Sequence, residues 1–183
     1  MANLDAPFGL RPAKSEYGTA PKMEEFAVKA SVEIFEGQIV CVDATGEVLD
    51  FTTTLADAGD VIGVASNYVS AAATRRKCFV YVDTNQLYEM QSDDATAIVN
   101  GRLYQILTPN AGNATTLQSI SEIDGSTGTS ALGTGPVGLR HIRVEDSSKN
   151  VKNEAGLNRR YLVRIIAPIM VRAMGGRAGF TGI

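Results

Sequence analysis

The single histidine, His141, is the first candidate for proton-transfer chemistry, because histidine titrates near neutral pH. It stands in the alternating run 139–144, where it shares a strand face with Leu139 and Arg143. A lone histidine beside an arginine is more typical of a surface or an interface than of a general base. The chain has no Gly-x-Ser-x-Gly nucleophile elbow and too few His and Cys ligands for a zinc site. The sequence therefore predicts no catalytic residue and a protein that is not an enzyme.

Residues 133–138, Gly-Thr-Gly-Pro-Val-Gly, match the letters of the dinucleotide-binding motif G-x-G-x-x-G. That motif needs a preceding strand and a following helix, whose N-terminus meets the phosphate. Here a polar loop precedes the motif, a strand-like run follows it, and Pro136 removes a backbone donor. No cofactor site is predicted.

Two acidic pairs, Asp93-Asp94 and Glu145-Asp146, lack the spacing of an EF-hand and are predicted to be solvated loop acids. Cys41 and Cys78 each lie in an alternating apolar run with no second cysteine nearby. Both are predicted to be small buried hydrophobic residues, so no metal site is expected.

The elements around these residues show a period near two from Met23 onward. A Gly-containing link, residues 44–46, predicts one hairpin, and Asn100-Gly101 predicts another with a type I′ turn. Pro168 interrupts the last strand or places it at a sheet edge. Helical periodicity is poor, with room for a turn or two in 66–76. The predicted strands are 23–30, 38–43, 47–51, 60–65, 77–82, 86–91, 96–99, 102–107, 137–144 and 161–171.

This pattern predicts an all-β fold, an antiparallel β-sandwich or barrel, over residues 22–171. Polar loops are expected at 109–135 and 145–158, with Leu117, Ile120 and Ile123 indicating that part of the first one packs. Residues 1–21 combine backbone-restricting Pro and Gly with apolar side chains. They are predicted to form an extended N-terminal arm that lies on another surface. Residues 172–183 are predicted to form a C-terminal tail.

The charge balance, 17 basic and 20 acidic residues in 183, argues against a protein that coats nucleic acid. Hydrophobic content of 44% is enough for a core, which must consist mainly of Val, Ile, Leu and Ala because Trp is absent. From Leu157 onward the chain has no acidic residue but five arginines, namely Arg159, Arg160, Arg164, Arg172 and Arg177. They form either a strand edge with a basic tail or a docking surface for an acidic partner.

The start of the chain has neither a basic n-region nor an apolar stretch, so no signal peptide is expected. No apolar run approaches the roughly 20 residues that span a bilayer, so no membrane association is predicted. We expect a soluble, reducing compartment.

The opening residues 1–12, Met-Ala-Asn-Leu-Asp-Ala-Pro-Phe-Gly-Leu-Arg-Pro, resemble the start of a group of small virion proteins of tailed bacteriophages and prophages, the capsid cement or head decoration proteins. Weaker similarity lies in residues 37–40 (Gly-Gln-Ile-Val), residues 62–64 (Ile-Gly-Val) and a strand–loop–strand ending over 137–171. The resemblance covers about a dozen residues closely and most of the chain loosely. It does not extend to the tail after Pro168.

The resemblance implies a structural protein on the outside of a phage head lattice, often a trimer, with the major capsid protein as its partner. Its place would be the virion, after synthesis in the host bacterial cytoplasm. Deletion of residues 2–12 is then expected to abolish head binding while the β body stays folded. The residues expected to contact the capsid or a neighbouring subunit are Leu4, Pro7, Phe8, Leu10, Arg11, Pro12, Arg172, Arg177 and Phe180.

Two alternatives stay open. The first is another virion component, such as a tail-tube, neck or head-completion protein, which sequence alone separates poorly from a decoration protein. The second is a small soluble enzyme or ligand-binding barrel, which requires a concave pocket with convergent polar groups. No cofactor and no direct contact with nucleic acid is expected.

Overall fold

The computed structural model describes residues 5–15, 18, 20–43, 45–51, 60–72, 74, 76–83, 85–93, 98–109, 111–129, 142–146 and 158–166. These residues contain strands and no helix, which confirms the predicted all-β class. None of them forms a helix that could cross a membrane. The strands are β1 (Arg11–Ser15), β2 (Met23–Val28), β3 (Ile39–Val42), β4 (Val48–Asp50), β5 (Asp60–Ala65), β6 (Arg76–Tyr81), β7 (Gln86–Gln91), β8 (Leu103–Leu107), β9 (Gly112–Asn113), β10 (Gln118–Ser119), β11 (Glu122–Thr129), β12 (Ile142–Asp146) and β13 (Arg160–Ile165).

Five strands close into a barrel in the order β2-β4-β3-β5-β6. All of its pairings are antiparallel except the parallel contact between Val28 and Val48 that joins β2 to β4. Strand alternation sends every second side chain inward, as the period near two predicts. The barrel interior is filled by the buried residues Val28, Ile34, Val40, Val48, Ile62, Ala65, Val69, Cys78, Val80 and Val82.

The predicted hairpin around residues 44–46 is confirmed as β3–β4, and Asp43 holds its turn. The carboxylate of Asp43 accepts hydrogen bonds from the Thr45 hydroxyl at 2.6 Å, the Thr45 N–H at 2.9 Å and the Glu47 N–H at 3.1 Å. Led by the Thr45 hydroxyl, these bonds lower the pKa of Asp43 to about 2. The ionised side chain thus serves as the local cap of the turn.

A second, six-stranded sheet has the order β1-β7-β13-β12-β8-β11, with every described pairing antiparallel. One face of this sheet packs on the outer side of barrel strands β3, β4 and β5. The core between the layers consists of Leu10, Ile39, Cys41, Leu49, Phe51, Val61, Val64, Tyr88, Met90, Ile98, Tyr104, Ile106, Ile123, Ile142, Val144, Tyr161, Val163 and Ile165. Both cysteines are buried, as predicted, and neither forms a disulfide bond.

Within the described residues, the hairpin predicted at Asn100-Gly101 does not form, although a turn is present. The Arg102 N–H donates to the Val99 carbonyl at 3.3 Å, but Ile98 and Val99 belong to no strand. Ile98 is buried between the layers, and the Val99 N–H donates to the Tyr104 hydroxyl at 2.8 Å. Strand β8 instead pairs with the distant strands β11 and β12, because these pairings bury apolar side chains of all three strands against the core.

The segment 109–135, predicted to be a loop, contains three strands within its described part, 109 and 111–129. Glu122–Thr129 forms the edge strand β11, and Ile123 is fully buried. Strand β11 is rich in Ser, Thr and Gly, which is why its sequence does not indicate a strand. It passes close to the Tyr104 ring. A Cβ on Gly128 would lie 2.6 Å from that ring. The second predicted loop, 145–158, begins later, because β12 includes Glu145 and Asp146.

The last two predicted strands are shorter in the described residues. β12 begins at Ile142, after residues 137–141 that lie outside the described residues. β13 ends at Ile165, and the predicted interruption at Pro168 also lies outside the described residues. The turn of helix considered for 66–76 is absent from the described residues there, where Val69 instead pairs with Ile34.

Candidate interaction site on the opening segment

Residues 5–15, here called the opening segment, lie along the β body of their own chain. Leu10 is 1% exposed and belongs to the core between barrel and sheet. Strand β1 follows directly and pairs with β7 at the sheet edge. The sequence predicted an arm over residues 1–21 that lies on another surface. That prediction is wrong for residues 10–15, which pack on and pair with their own chain. Residues 1–4, 16, 17 and 19 lie outside the described residues.

Two glycines allow the opening segment to approach the barrel closely. Gly9 and Gly37 have φ of +67° and +79°, which side-chain-bearing residues rarely adopt. A Cβ on Gly9 would lie 2.5 Å from the Gly37 carbonyl oxygen, and one on Gly37 would lie 2.6 Å from the Phe8 carbonyl oxygen. The Leu10 N–H donates to the Gly37 carbonyl at 2.8 Å. The backbones therefore touch where neither could carry a side chain.

The described parts of the three short segments that carry the resemblance lie side by side near this contact. Gly37 starts the second of them, and its N–H donates to the Ala65 carbonyl at 2.9 Å, directly after residues 62–64. Within that third segment, Gly63 lies against β6, and a Cβ there would come within 2.0 Å of the Tyr81 carbonyl oxygen. Their glycines are thus required by close backbone packing.

Phe8 is half-buried beside two guanidinium groups. The Cζ atoms of Arg11 and Arg160 lie 4.4 Å and 5.1 Å from the centre of its ring, distances typical of cation–π contact. Glu89 contacts the same two arginines, at 2.7 Å from Arg11 Nη2 and 3.4 Å from Arg160 Nη1. The ring and the carboxylate together fix both guanidinium groups.

A groove of about 470 Å³ runs beside this cluster. Pro7, Phe8, Arg11 and Pro12 line it from the opening segment. The barrel contributes Gly37, Ala65 and Tyr81, and the β9–β10 turn region contributes Asn113, Thr116 and Gln118. The groove therefore combines apolar surface with the side chains of Arg11 and Arg160, the acidic residues Asp5 and Glu36, and exposed amide and hydroxyl groups.

The structure brings four of the predicted interaction residues, Pro7, Phe8, Arg11 and Pro12, to one surface. Leu10 lies in the same segment but anchors it to the core. The predicted residues Leu4, Arg172, Arg177 and Phe180 lie outside the described residues. Sequence reasoning missed Glu89 as the link between the arginines. In the sequence, Arg160 stood out only as one of five arginines near the end of the chain.

Several residues that the sequence analysis considered as candidates for chemistry have structural roles in the described part of the chain. Asp93 accepts a hydrogen bond from the Gly125 N–H at 3.2 Å, and Glu145 contacts two arginines, so neither is a solvated loop acid. Burial raises the pKa of the Cys78 thiol to about 12. In the described part of the chain, no three His, Cys, Asp or Glu side chains are close enough to bind a metal ion. His141, Asp94 and residues 133–138 lie outside it.

Glu122, at the start of β11, has a clearly raised pKa, about 7. Burial is the main cause, and the negative charges of Asp5 and Asp93 add to it. Its Oε1 atom is buried without a hydrogen-bond partner. The folded protein therefore keeps this side chain protonated up to a higher pH than an exposed glutamate.

Comparison of the chain with protein-family models, curated proteins and solved structures found no match.

Proposed function

We propose that this protein is a structural component of a tailed-phage virion that binds the outside of the head lattice and stabilises the capsid. In this proposal its partner is the major capsid protein, and it acts as a homo-oligomer, with a trimer expected from the resemblance. The similarity of residues 1–12 to the openings of capsid decoration proteins supports this assignment.

The observation that carries the proposal is the placement of the opening segment. Leu10 anchors it in the core, while Arg11 remains exposed and Phe8 and Pro12 are half-exposed along the groove. A contact surface that is ordered before docking loses little conformational entropy on binding. The described residues of this segment that line the groove are thus ordered before docking, which supports a role in binding a lattice.

The proposed test is binding of the purified protein to undecorated, mature phage heads, measured by co-sedimentation and cryo-EM. Deletion of residues 2–12 is a poor probe, because it removes Leu10 from the core and part of β1. Phe8→Ala is sharper, and its matched control is Phe79→Ala, which truncates a 45% exposed phenylalanine on β6.

We expect saturable density at symmetry axes of the head, at least tenfold weaker binding by Phe8→Ala, and unchanged binding by Phe79→Ala. Recovery of the protein on tails or at a single vertex, without head binding, would identify another virion component instead. Full-strength head binding by Phe8→Ala would show that the opening segment is not the contact.

A further inference from the structure

The groove beside the opening segment is lined by two acidic side chains that are available to a partner. Asp5 lines it from the opening segment, and Glu36 lines it from the residues just before β3. Both residues are exposed, and in the described part of the chain neither carboxylate takes part in an ion pair or a hydrogen bond. Two ionised groups from separate parts of the chain thus face one groove.

The two arginines that line the same groove are already engaged within the protein. Arg11 Nη2 and Arg160 Nη1 lie 2.7 Å and 3.4 Å from the Glu89 carboxylate, and Arg160 has further contacts. Both guanidinium groups also lie against the Phe8 ring. The charge that the groove leaves open to a partner is therefore negative.

The backbone beside each carboxylate is held in place by hydrogen bonds. The Glu36 N–H donates to the Leu117 carbonyl at 3.2 Å, which ties this residue to the β9–β10 turn region. The Ala6 N–H, next to Asp5, donates to Gln91 Oε1 at 3.4 Å. Both acidic side chains therefore extend from backbone that is positioned before a partner binds, which reduces the entropy lost on binding.

The negative charge of Asp5 also acts on β11. It contributes, after burial, to the raised pKa of Glu122. A cation bound beside Asp5 would offset this charge and lower the pKa of Glu122 towards its ordinary value. This end of the groove therefore favours a cation over an anion.

The rest of the groove suits apolar and hydrogen-bonding groups. Pro7, Phe8 and Tyr81 line it and are half-buried. The side chains of Thr116 and Gln118 also line it and form no hydrogen bond within the described structure. Its volume of about 470 Å³ accommodates a few side chains rather than a whole domain. An extended polypeptide that carries a cation beside an apolar side chain matches these surroundings.

Other ligand classes fit this groove less well. The phosphates of a nucleic acid would meet the charges of Asp5 and Glu36, whereas nucleic-acid binding depends on clustered cations. A metal ion lacks ligands, since no three His, Cys, Asp or Glu side chains among the described residues are close enough to bind one.

We propose that the groove is a docking site for a basic, partly apolar segment of the lattice protein, whose lysine or arginine binds Asp5 and Glu36 while an apolar side chain packs on Phe8. The identity of the partner as the lattice protein rests on the proposed function, whereas the chemistry of the groove does not. Exposed ion pairs contribute little free energy. The Phe8 contact therefore provides most of the affinity, and the carboxylates provide the selectivity for basic segments.

The probes are three fluorescent ten-residue peptides that differ only at two positions, which flank a central leucine and carry arginine, glutamine or glutamate. Each is titrated against the full chain by fluorescence anisotropy at low and high salt. The test variant is Asp5→Asn/Glu36→Gln. Its control, Glu24→Gln/Glu33→Gln, removes the same charge at positions that do not line the groove. Phe8→Ala tests the apolar contact, and thermal unfolding checks that each variant is folded.

We expect the wild type to bind the arginine peptide at least tenfold more tightly than the glutamate peptide at low salt, with a smaller preference at high salt. The test variant should bind the arginine peptide at least fivefold more weakly, and the control variant should stay within twofold of wild type. Phe8→Ala should weaken the binding of all three peptides.

Equal binding of the arginine and glutamate peptides overturns the proposal, as does equal binding of the arginine peptide by wild type and test variant. Absence of arginine-peptide binding also overturns it. Tighter binding of a 20-nucleotide oligothymidylate than of the arginine peptide, at the same salt, overturns it in favour of a nucleic-acid surface. Failure to bind phage heads, with the peptide preference intact, overturns the proposed function alone. Head binding without that preference overturns only the docking proposal.

Discussion

Gly9 and Gly37 lie against each other in backbone contact, and the Leu10 N–H next to this contact donates to the Gly37 carbonyl at 2.8 Å. The contact joins the opening segment to the start of β3. It places Leu10 in the core and Phe8 at the groove. Anything that separates the two backbones should therefore affect both the stability of the fold and the shape of the candidate site.

We expect Gly37→Ala to destabilise the protein more than Gly46→Ala. Both glycines have a φ near +80°, so both variants incur the cost of about 1–2 kcal/mol for a left-handed alanine. Only the Cβ at position 37 also meets backbone, whereas position 46 has nothing within 4 Å. Overpacking adds about 1–3 kcal/mol to the Gly37→Ala effect. Urea unfolding measures both, and equal losses would contradict the contact.

Leu10→Ala should lower the free energy of unfolding by about 2–5 kcal/mol, the usual range for truncating a buried leucine. Leu107→Ala is the control, because Leu107 is 39% exposed on β8. We expect it to change stability by about 0.5 kcal/mol or less. A Leu10→Ala protein as stable as wild type would show that the opening segment is not docked in solution.

Glu122→Gln should stabilise the protein at pH 8 and have little effect at pH 4. Glu122 has a pKa of about 7 in the folded state against an ordinary value of 4.5, so the unfolded chain loses this proton first as pH rises. Native stability therefore falls between about pH 4.5 and 7. Because the group is half-exposed and solvent screens it, we expect a gain of about 1 kcal/mol.

Urea unfolding of Glu122→Gln across this pH range measures the effect. Its control is Glu36→Gln, at an exposed position next to Gly37. A glutamine variant with the same pH dependence as wild type would show that Glu122 ionises normally.

The Cys78 thiol should resist iodoacetamide in the native protein at pH 8 and react fully in denaturant. Its side chain is fully buried and its pKa is about 12, so almost no thiolate is present. The stability from this burial is intact below the ordinary pKa of 9.0 and is lost as pH rises towards 12. Peptide mass spectrometry locates the label, and rapid native modification of Cys78 would refute its burial.

Only part of the candidate site could be predicted from residue patterns. The family-like opening pointed to Phe8 and Arg11 as contact residues, and the structure places both on one groove. Neither the pairing of Arg11 with Glu89 nor the approach of Arg160 to Phe8 follows from spacing. Arg11 and Arg160 are 78 and 71 positions from Glu89 along the chain, and only the sheet order β1-β7-β13 makes the three residues neighbours.

Residue patterns alone predict the all-β class, the β3–β4 hairpin and the burial of both cysteines, because each depends on alternation or turn chemistry within a few residues. Long-range packing explains why Leu10 is a core residue, why Glu122–Thr129 is a strand, and why Asn100-Gly101 closes no hairpin within the described residues. Strand pairing in this fold is mostly long-range, and burial against a distant strand outweighs local propensity. The local pattern specifies which face of a strand is apolar, but only the assembled layers specify what covers that face.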